Sequence, residues 1–212
     1  MSKFLSLSAF QVCFFHTSQC IWRKIQSSGL ATQYSTDESF SLKLRHLSAL
    51  AFLPADEIPG AFDEVKLHMP EEASEVVEWF ENTYVHGRTR RVLRNGVAVR
   101  SPPLFPPALW SIYDCMQEGL PRTQNSIEAW HRRWKSVIGA DHAGIYHTLE
   151  ELRKEQRRVE IEAERDLRSE ASFSRRAQSL RRDQRLQDIV NNRESRPALM
   201  DYLRAIAHNL SH

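Results

Sequence analysis

Glycine is scarce in this chain, at 7 of 212 residues, and cysteine is scarcer, at 3. Sandwiches and barrels need many tight turns, which glycine serves best, so these folds are disfavoured. The cysteines form no C-x-x-C pair and have no second Cys/His pair at zinc spacing, so we expect neither a disulfide framework nor a closed structural zinc site. No stretch approaches the ~20 apolar residues of a membrane span. These absences favour a soluble, intracellular protein.

Charge is divided unevenly along the chain, although the formal net charge is only +2. Residues 1–82 hold 6 Lys and Arg against 11 Asp and Glu, and residues 83–212 hold 23 against 16, which gives −5 and +7. Such an asymmetry is typical of proteins in which one part meets a polyanion. We therefore expect any polyanion to bind the second part of the chain.

Apolar residues at helical spacing run through most of the chain, and two segments depart from this pattern. Residues 9–15, AFQVCFF, form a short apolar run that fits a buried strand. Residues 90–100, RRVLRNGVAVR, hold Asn95-Gly96 between two β-branched runs, which is the strongest short signal for a hairpin. The predicted fold class is mainly α, with one short N-terminal strand and a β-hairpin.

The longest helical pattern runs from Ile145 to about Ser169 and is followed by a linker rich in Ser and Arg. Its seam positions repeat with a 4-3-4-3-4 spacing and include one polar residue. They are Ile145, Leu149, Leu152, Gln156, Val159 and Ala163. The pattern allows two interpretations: a helix laid across its own domain, or a seam that pairs with another chain.

Cys13 and His16 form a C-x2-H pattern at the junction between the predicted strand and the next helix. A thiol and an imidazole three residues apart can share a metal ion or a hydrogen bond across one turn. Cys13 also fits a buried apolar position, and His16 fits a polar position at a helix start. The spacing alone favours this second, structural interpretation.

A helix predicted over residues 126–138 carries tryptophan on one face and charge on the other. Ile127, Trp130, Trp134 and Ile138 share the apolar face, and Glu128, His131, Arg132 and Lys135 share the opposite face. The tryptophans therefore fit a core better than a base-stacking platform. Glu128 either pairs with Arg132 or stands near a helix N-terminus beside cations that hold a phosphate backbone.

Five arginines crowd the predicted hairpin and its flanks, within 13 residues that contain no acidic side chain. They are Arg88, Arg90, Arg91, Arg94 and Arg100. Alternate residues of a hairpin face the same side, so such a ribbon can follow a phosphate backbone. A solvated basic ribbon fits the pattern equally well. A second basic group follows at Arg132, Arg133 and Lys135.

Several longer segments together resemble a known family. The segments are FQVCFFHTSQCIWRKIQSSGLATQY, LSALAFLPADEIPGAFDEV, VVEWFENTYVHGR, SPPLFPPALWSIYDCMQEGLPRTQNSIEAWHRRW and ALMDYLRAIAHNL. They resemble the C-terminal half of Mutator-like (MULE-domain) DDE transposases. The most specific pieces are the C-x2-H pattern with the helix after it, and the pattern T-x-N-x-x-E-x-x-H.

The resemblance implies the C-terminal part of an RNase-H-like transposase core with a helical insertion. Residues 1–29 are then a remaining strand and helix of that core, and residues 30–122 are the insertion, with the hairpin inside it. Residues 123–170 hold the third-acid helix and the long helix. Residues 171–212 are a linker and C-terminal helices.

The resemblance also assigns roles to single residues. Glu128 is the third catalytic acid, and Cys13, His16, Asn125 and His131 belong to the family's motifs. Intact members of the family use three acidic residues to hold Mg²⁺ or Mn²⁺ for strand cleavage and transfer. By this resemblance Glu128 is also a metal ligand.

Two departures from the family bear on catalysis. Gln124-Asn125 stands where the family commonly has Asn-Asn, and residues 1–12 contain no acidic residue where the first two catalytic aspartates are expected. Two-metal chemistry needs ions ~4 Å apart, bridged by carboxylates. Glu128 alone therefore makes an incomplete metal site, and we expect no tightly bound cofactor and no activity of the chain alone.

The expected function is that of a truncated or domesticated transposase fragment that binds duplex DNA weakly and without sequence preference. The resemblance places such a protein in the nucleus. The alternative is a helical interaction module that pairs, through residues 145–163, with a full-length relative or with itself. A third interpretation is an enzyme whose missing aspartates come from another chain.

Overall fold

The chain is organised in two units, which are described separately. The structure is a computed structural model, and it describes residues 14–94, 96, 98–119, 133–139, 144–167, 177–195 and 198–210. The first unit contains Met1–Thr123 and Arg182–His212, and the second contains Gln124–Arg181. The first unit holds the predicted hairpin, and the second holds the long helix predicted from Ile145.

Helices dominate the described residues. In chain order they are α1 (Phe14–Ser27), α2 (Ala31–Thr36), α3 (Glu38–Ala49), α4 (Ile58–Leu67), α5 (Ser74–Phe80), α6 (Pro107–Trp110), α7 (Tyr113–Gln117), α8 (Ile145–Leu167), α9 (Ala177–Asn191) and α10 (Leu199–Asn209). Short 3₁₀ turns lie at Leu50–Phe52, Glu71–Ala73 and Arg193–Ser195, and a π-helical turn follows α5 at Glu81–Val85. The strands β1 (Thr89–Val92) and β2 (Ala98–Arg100) pair as an antiparallel hairpin.

α1 begins inside the segment predicted to be a strand. The strand predicted over residues 9–15 is wrong at its last two positions, which are helical, while residues 9–13 lie outside the described residues. The helix is favoured here because Phe14, Ile21 and Ile25 recur at helical spacing and form one buried stripe. An apolar run as short as this one fits a buried helix and a buried strand equally well.

The terminal helix α10 packs along α3 and completes the core of the first unit. Tyr202 is fully buried, and its hydroxyl donates a hydrogen bond to the carbonyl of Phe52 at 2.8 Å. Arg45 of α3 donates to the carbonyls of Ala207 and Leu210 at 3.4 and 3.3 Å. The Ala207 carbonyl also accepts from the backbone N–H of Leu210 at 3.2 Å, so Arg45 adds a second donor there and supplies one to the Leu210 carbonyl just after α10.

An aromatic cluster joins the chain segments before and after the hairpin. Phe80 and Tyr84 stack with ring centroids 5.1 Å apart, and Trp110 meets Phe80 edge-to-face at 5.7 Å. The indole Nε1 of Trp110 donates to the carbonyls of Tyr84 and Phe105, both at 3.1 Å. Because Tyr84 precedes the hairpin and Trp110 follows it, this cluster fixes where the hairpin leaves the helical body.

The second unit is described at residues 133–139, 144–167 and 177–181. A helical stretch at residues 133–138 contacts α8 through an ion pair between Arg133 and Glu155. The predicted long helix is present as α8, and its Leu149 and Leu152 are exposed by 47% and 43%. The apolar seam is therefore open at these positions.

The mainly helical architecture with a two-stranded hairpin is confirmed. The further expectation of an RNase-H-like core stays a prediction. Within the described ranges, none of the helices combines the length and the apolar character that crossing a membrane requires.

Candidate nucleic-acid interface

The predicted hairpin is formed, and its two strands are largely exposed to solvent. From its root to its tip, the paired residues are Thr89 with Arg100, Arg91 with Val99 and Val92 with Ala98. Gly96 at the tip has φ +81°, a left-handed conformation that glycine adopts without strain. All four residues of β1 are exposed. The hairpin is therefore a ribbon whose β1 side chains meet solvent.

A bulge at Arg90 changes how the arginines are distributed. The register passes from Thr89 to Arg91 while β2 advances by one residue, so Arg90 is the extra residue. Residues directly opposite each other share a face, and neighbours along a strand point to opposite faces. Arg91 therefore shares a face with Val99, and Arg100 lies on the other face. The simple alternation predicted from the sequence is interrupted at this point.

All five predicted arginines are exposed. Four of them form one group: Arg88, Arg90, Arg91 and Arg94. Among the described residues, no carboxylate lies within ion-pair distance of any of them. Within that part of the chain, four guanidinium groups without an ion-pair partner thus occupy residues 88–94. We call this segment the arginine ribbon.

Arg100 is held differently, at the root of the hairpin. Its Nη2 lies 2.7 Å from Oε1 of Glu81, and its Nη1 donates to the carbonyl of Gly87 at 3.1 Å. The charge of Arg100 is therefore already balanced inside the protein. Of the five arginines predicted to bind DNA, all of which the structure describes, Arg100 is the one with an internal ion-pair partner among the described residues.

Glu81 is a buried carboxylate in the π-helical turn. Its side chain is only 7% exposed, and its Oε2 lies 2.5 Å from Nζ of Lys66. Burial acts to raise the pKa of Glu81, but the hydrogen bond and charge of Lys66 and the charge of Arg100 outweigh it, so the pKa of this carboxyl lies below its ordinary value. Glu81 is therefore ionised at neutral pH, with a cation on each oxygen.

A groove of about 440 Å³ opens beside this ion-pair cluster. Lys66 and Arg100 line it, together with the carboxylates of Glu71, Glu78 and Glu81. Charges of both signs face the same space, so the groove has no preference for a polyanion. The arginine ribbon is the better anion surface.

The other predicted site residues fall in three groups. Those outside the described residues are Cys13, Asn125, Glu128, His131 and Arg132. His16 is exposed on α1. In the second basic group, Arg133 pairs with Glu155, whereas Lys135 is exposed.

The described ranges contain no cluster of three or more His, Cys, Asp or Glu side chains able to hold a metal ion. The predicted Mg²⁺ or Mn²⁺ ligand, Glu128, lies outside those ranges. The predicted metal site therefore stays a prediction.

Sequence reasoning missed the ion-pair cluster of Lys66, Glu81 and Arg100. These residues come from α4, the π-helical turn and β2, so no local spacing joins them. One signal was present: Glu81 lies four residues after Val77 and three before Tyr84, on the apolar face of the helix that ends here. An acidic residue on such a face needs a buried partner.

No family model, curated protein or solved structure matches the chain. The geometry of the hairpin and the chemistry of its side chains therefore carry the functional argument.

Proposed function

We propose that this chain is the C-terminal part of a Mutator-like DDE transposase and that its hairpin contacts duplex DNA without cutting it. The observation that carries the DNA-binding part is the arginine ribbon, four exposed guanidinium groups without internal ion-pair partners among the described residues. The assignment to the family rests on the sequence resemblance. Under it Glu128 is the third catalytic acid, and the expected location is the nucleus.

The dimensions of the ribbon suit a phosphate backbone. The four residues of β1 span about 13 Å at ~3.3 Å each, and Arg88 and Arg94 flank this strand. A duplex presents one phosphate charge per ~1.7 Å of its axis, so each of the four arginines has a phosphate within reach. Phosphate contacts carry no sequence information, so we expect binding in the micromolar range or weaker and without sequence preference.

The test is the triple variant Arg90→Ala, Arg91→Ala and Arg94→Ala, measured by fluorescence anisotropy on a labelled duplex. We expect weaker binding and a flatter dependence of log K on log salt concentration. The slope is expected to fall by roughly 0.9 for each phosphate that the variant no longer neutralises. The flattening is expected because fewer counterions are released when fewer phosphates are neutralised.

The matched control replaces Arg23, Lys43 and Arg185 by alanine. These cations are exposed elsewhere in the first unit, and their removal changes the net charge by the same amount. We expect this control to retain most of the affinity and the wild-type salt slope. Equally weakened binding in both triple variants would show that the ribbon contributes only its general positive charge. Unchanged binding in the ribbon variant would indicate that DNA binds instead at Arg132, Arg133 and Lys135.

A second candidate function is self-association through α8. The observation that favours it is the open seam, where Ile145 and Val159 are exposed by 71% and 49%, besides Leu149 and Leu152. Exposed apolar side chains at heptad spacing are typical of a coiled-coil face. This function also covers pairing with a full-length relative.

Sedimentation velocity over a range of concentrations tests the second candidate. A double variant Leu149→Ser and Leu152→Ser is expected to abolish any concentration-dependent dimer, because it removes two adjacent seam positions. Lys154→Ser with Arg157→Ser alters the same helix at outward-facing heptad positions and serves as the control. A monomer at all concentrations in the wild type excludes pairing with itself.

A further inference from the structure

We propose that Glu81 is a positioning residue that holds the arginine ribbon in its DNA-binding orientation. This inference rests on the proposed function and goes beyond it, since Glu81 itself carries the wrong charge to touch a phosphate backbone. It assigns the buried ion-pair cluster a task in recognition.

The contacts at the root of the hairpin support this role. Glu81 bonds to Lys66 of α4 on one side and to Arg100 of β2 on the other, so its carboxylate bridges the helical body and the hairpin. Arg100 in turn bonds to the carbonyl of Gly87, and the backbone N–H of Ser101 donates to the carbonyl of Arg88 at 2.8 Å. These bonds join the residues that enter the hairpin to those that leave it, at its root.

Among the described residues, the strands of the hairpin make few other contacts with the helical body. All of β1 is exposed, and in β2 only Val99 is partly buried. A two-stranded ribbon is marginally stable by itself in water. Its orientation therefore depends on its root, where the Glu81 carboxylate is the buried charged group.

A purely electrostatic role and a positioning role of Glu81 predict opposite changes in DNA affinity when its charge is removed. Removing a negative charge near a DNA-binding surface strengthens binding when charge alone matters. If Glu81 positions the ribbon, its neutralisation releases Arg100 and weakens binding, although the net charge of the protein becomes more positive. The sign of the change in affinity therefore separates the two explanations.

The experiment compares Glu81→Gln with Glu78→Gln in the full chain, by anisotropy on a duplex across a salt series. Glu78 lines the same groove and is exposed, so its variant changes the charge equally without touching the root. We expect Glu81→Gln to bind about three- to tenfold more weakly, with a salt slope reduced by about 0.9, the value for one phosphate. Glu78→Gln is expected to bind equally or more tightly. Tighter binding by both variants overturns the proposal.

Hydrogen exchange gives a second readout that needs no DNA. We expect Glu81→Gln and Arg100→Gln to speed exchange at residues 88–92 and 98–101 while the amides of α3 and α10 keep their protection, and Glu81→Asp to restore part of the slow exchange. If the wild type binds no DNA, the proposed function fails, and the exchange data still decide whether Glu81 holds the hairpin. Unchanged exchange in the hairpin of both Gln variants overturns the positioning role. If Glu81→Gln does not fold, Arg100→Gln, which leaves Glu81 with Lys66, carries the hydrogen-exchange comparison.

Discussion

Trp110→Ala is expected to destabilise the first unit by about 3–5 kcal/mol, the range typical of deleting a buried tryptophan side chain. Trp110 is 1% exposed, and its ring meets Phe80 and Tyr84 edge-to-face. The substitution leaves a cavity in the aromatic cluster, and it removes the donor for the carbonyls of Tyr84 and Phe105. A domain has only about 5–15 kcal/mol of stability, so the substitution removes a large share of it.

Urea denaturation followed by far-UV circular dichroism measures this effect. Trp110→Phe loses the same two hydrogen bonds but leaves a smaller cavity, so the difference between the two variants measures the cavity contribution, and Trp110→Phe is expected to cost less. Trp134→Ala provides a comparison in the second unit, where Trp134 is only partly buried. A Trp110→Ala variant within about 1 kcal/mol of the wild type contradicts the assigned role of the cluster.

The contrast between these tryptophans shows where sequence reasoning succeeded and where it stopped. The predicted helix over residues 126–138 placed Trp130 and Trp134 on an apolar face; residues 133–138 are helical and Trp134 is partly buried, while Trp130 lies outside the described residues. Trp110 is the last residue of a four-residue helix, Pro107–Trp110, which follows a proline-rich segment. The sequence predicts a helix start at Pro107, but a helix of one turn is too short for periodicity to predict that Trp110 is buried.

The hairpin could be predicted from the sequence, whereas the contacts that support it could not. Asn95-Gly96 between β-branched runs is a local signal, because two adjacent residues determine the turn type, and the hairpin was predicted correctly from it. The bulge at Arg90 departs from regular pairing in a way that the turn signal does not encode, and the ion pairs of Glu81 depend on segments distant in the sequence. Lys66 precedes Arg100 by more than thirty residues, and only the packing of α4 under the hairpin root brings both to one carboxylate.

The start of the chain illustrates a further limit. Alternation and helical periodicity give the same answer for a short run of consecutive apolar residues, so AFQVCFF carried no information on its type. The observed helix is decided by Ile21 and Ile25, which lie well beyond that run and share the buried face of Phe14. Residues that follow a segment can therefore determine its structure.

Gly87→Ala is expected to disrupt the root of the hairpin and to weaken DNA binding at least as much as removal of the arginine ribbon. Gly87 has φ +77°, and a left-handed conformation costs a residue with a Cβ roughly 1–2 kcal/mol. A Cβ at this position lies 1.8 Å from the carbonyl oxygen of Ser101 and 2.8 Å from backbone atoms of Pro102 and Pro103. These are main-chain atoms that no rotamer change can move, so the two segments must separate, at a further cost of about 1–3 kcal/mol.

Gly29→Ala is the matched control for this substitution. Gly29 has φ +75°, nearly the same conformation, but no atom lies within 4 Å of its Cβ position. Both variants carry the backbone cost, and only Gly87→Ala forces β1 and the segment after β2 apart, which breaks the bond from the Ser101 N–H to the Arg88 carbonyl. Hydrogen exchange at residues 88–92 and 98–101, with anisotropy on duplex DNA, is expected to change in Gly87→Ala and to match the wild type in Gly29→Ala. Equal behaviour of the two variants contradicts the close approach at Gly87, because a purely conformational cost is common to both.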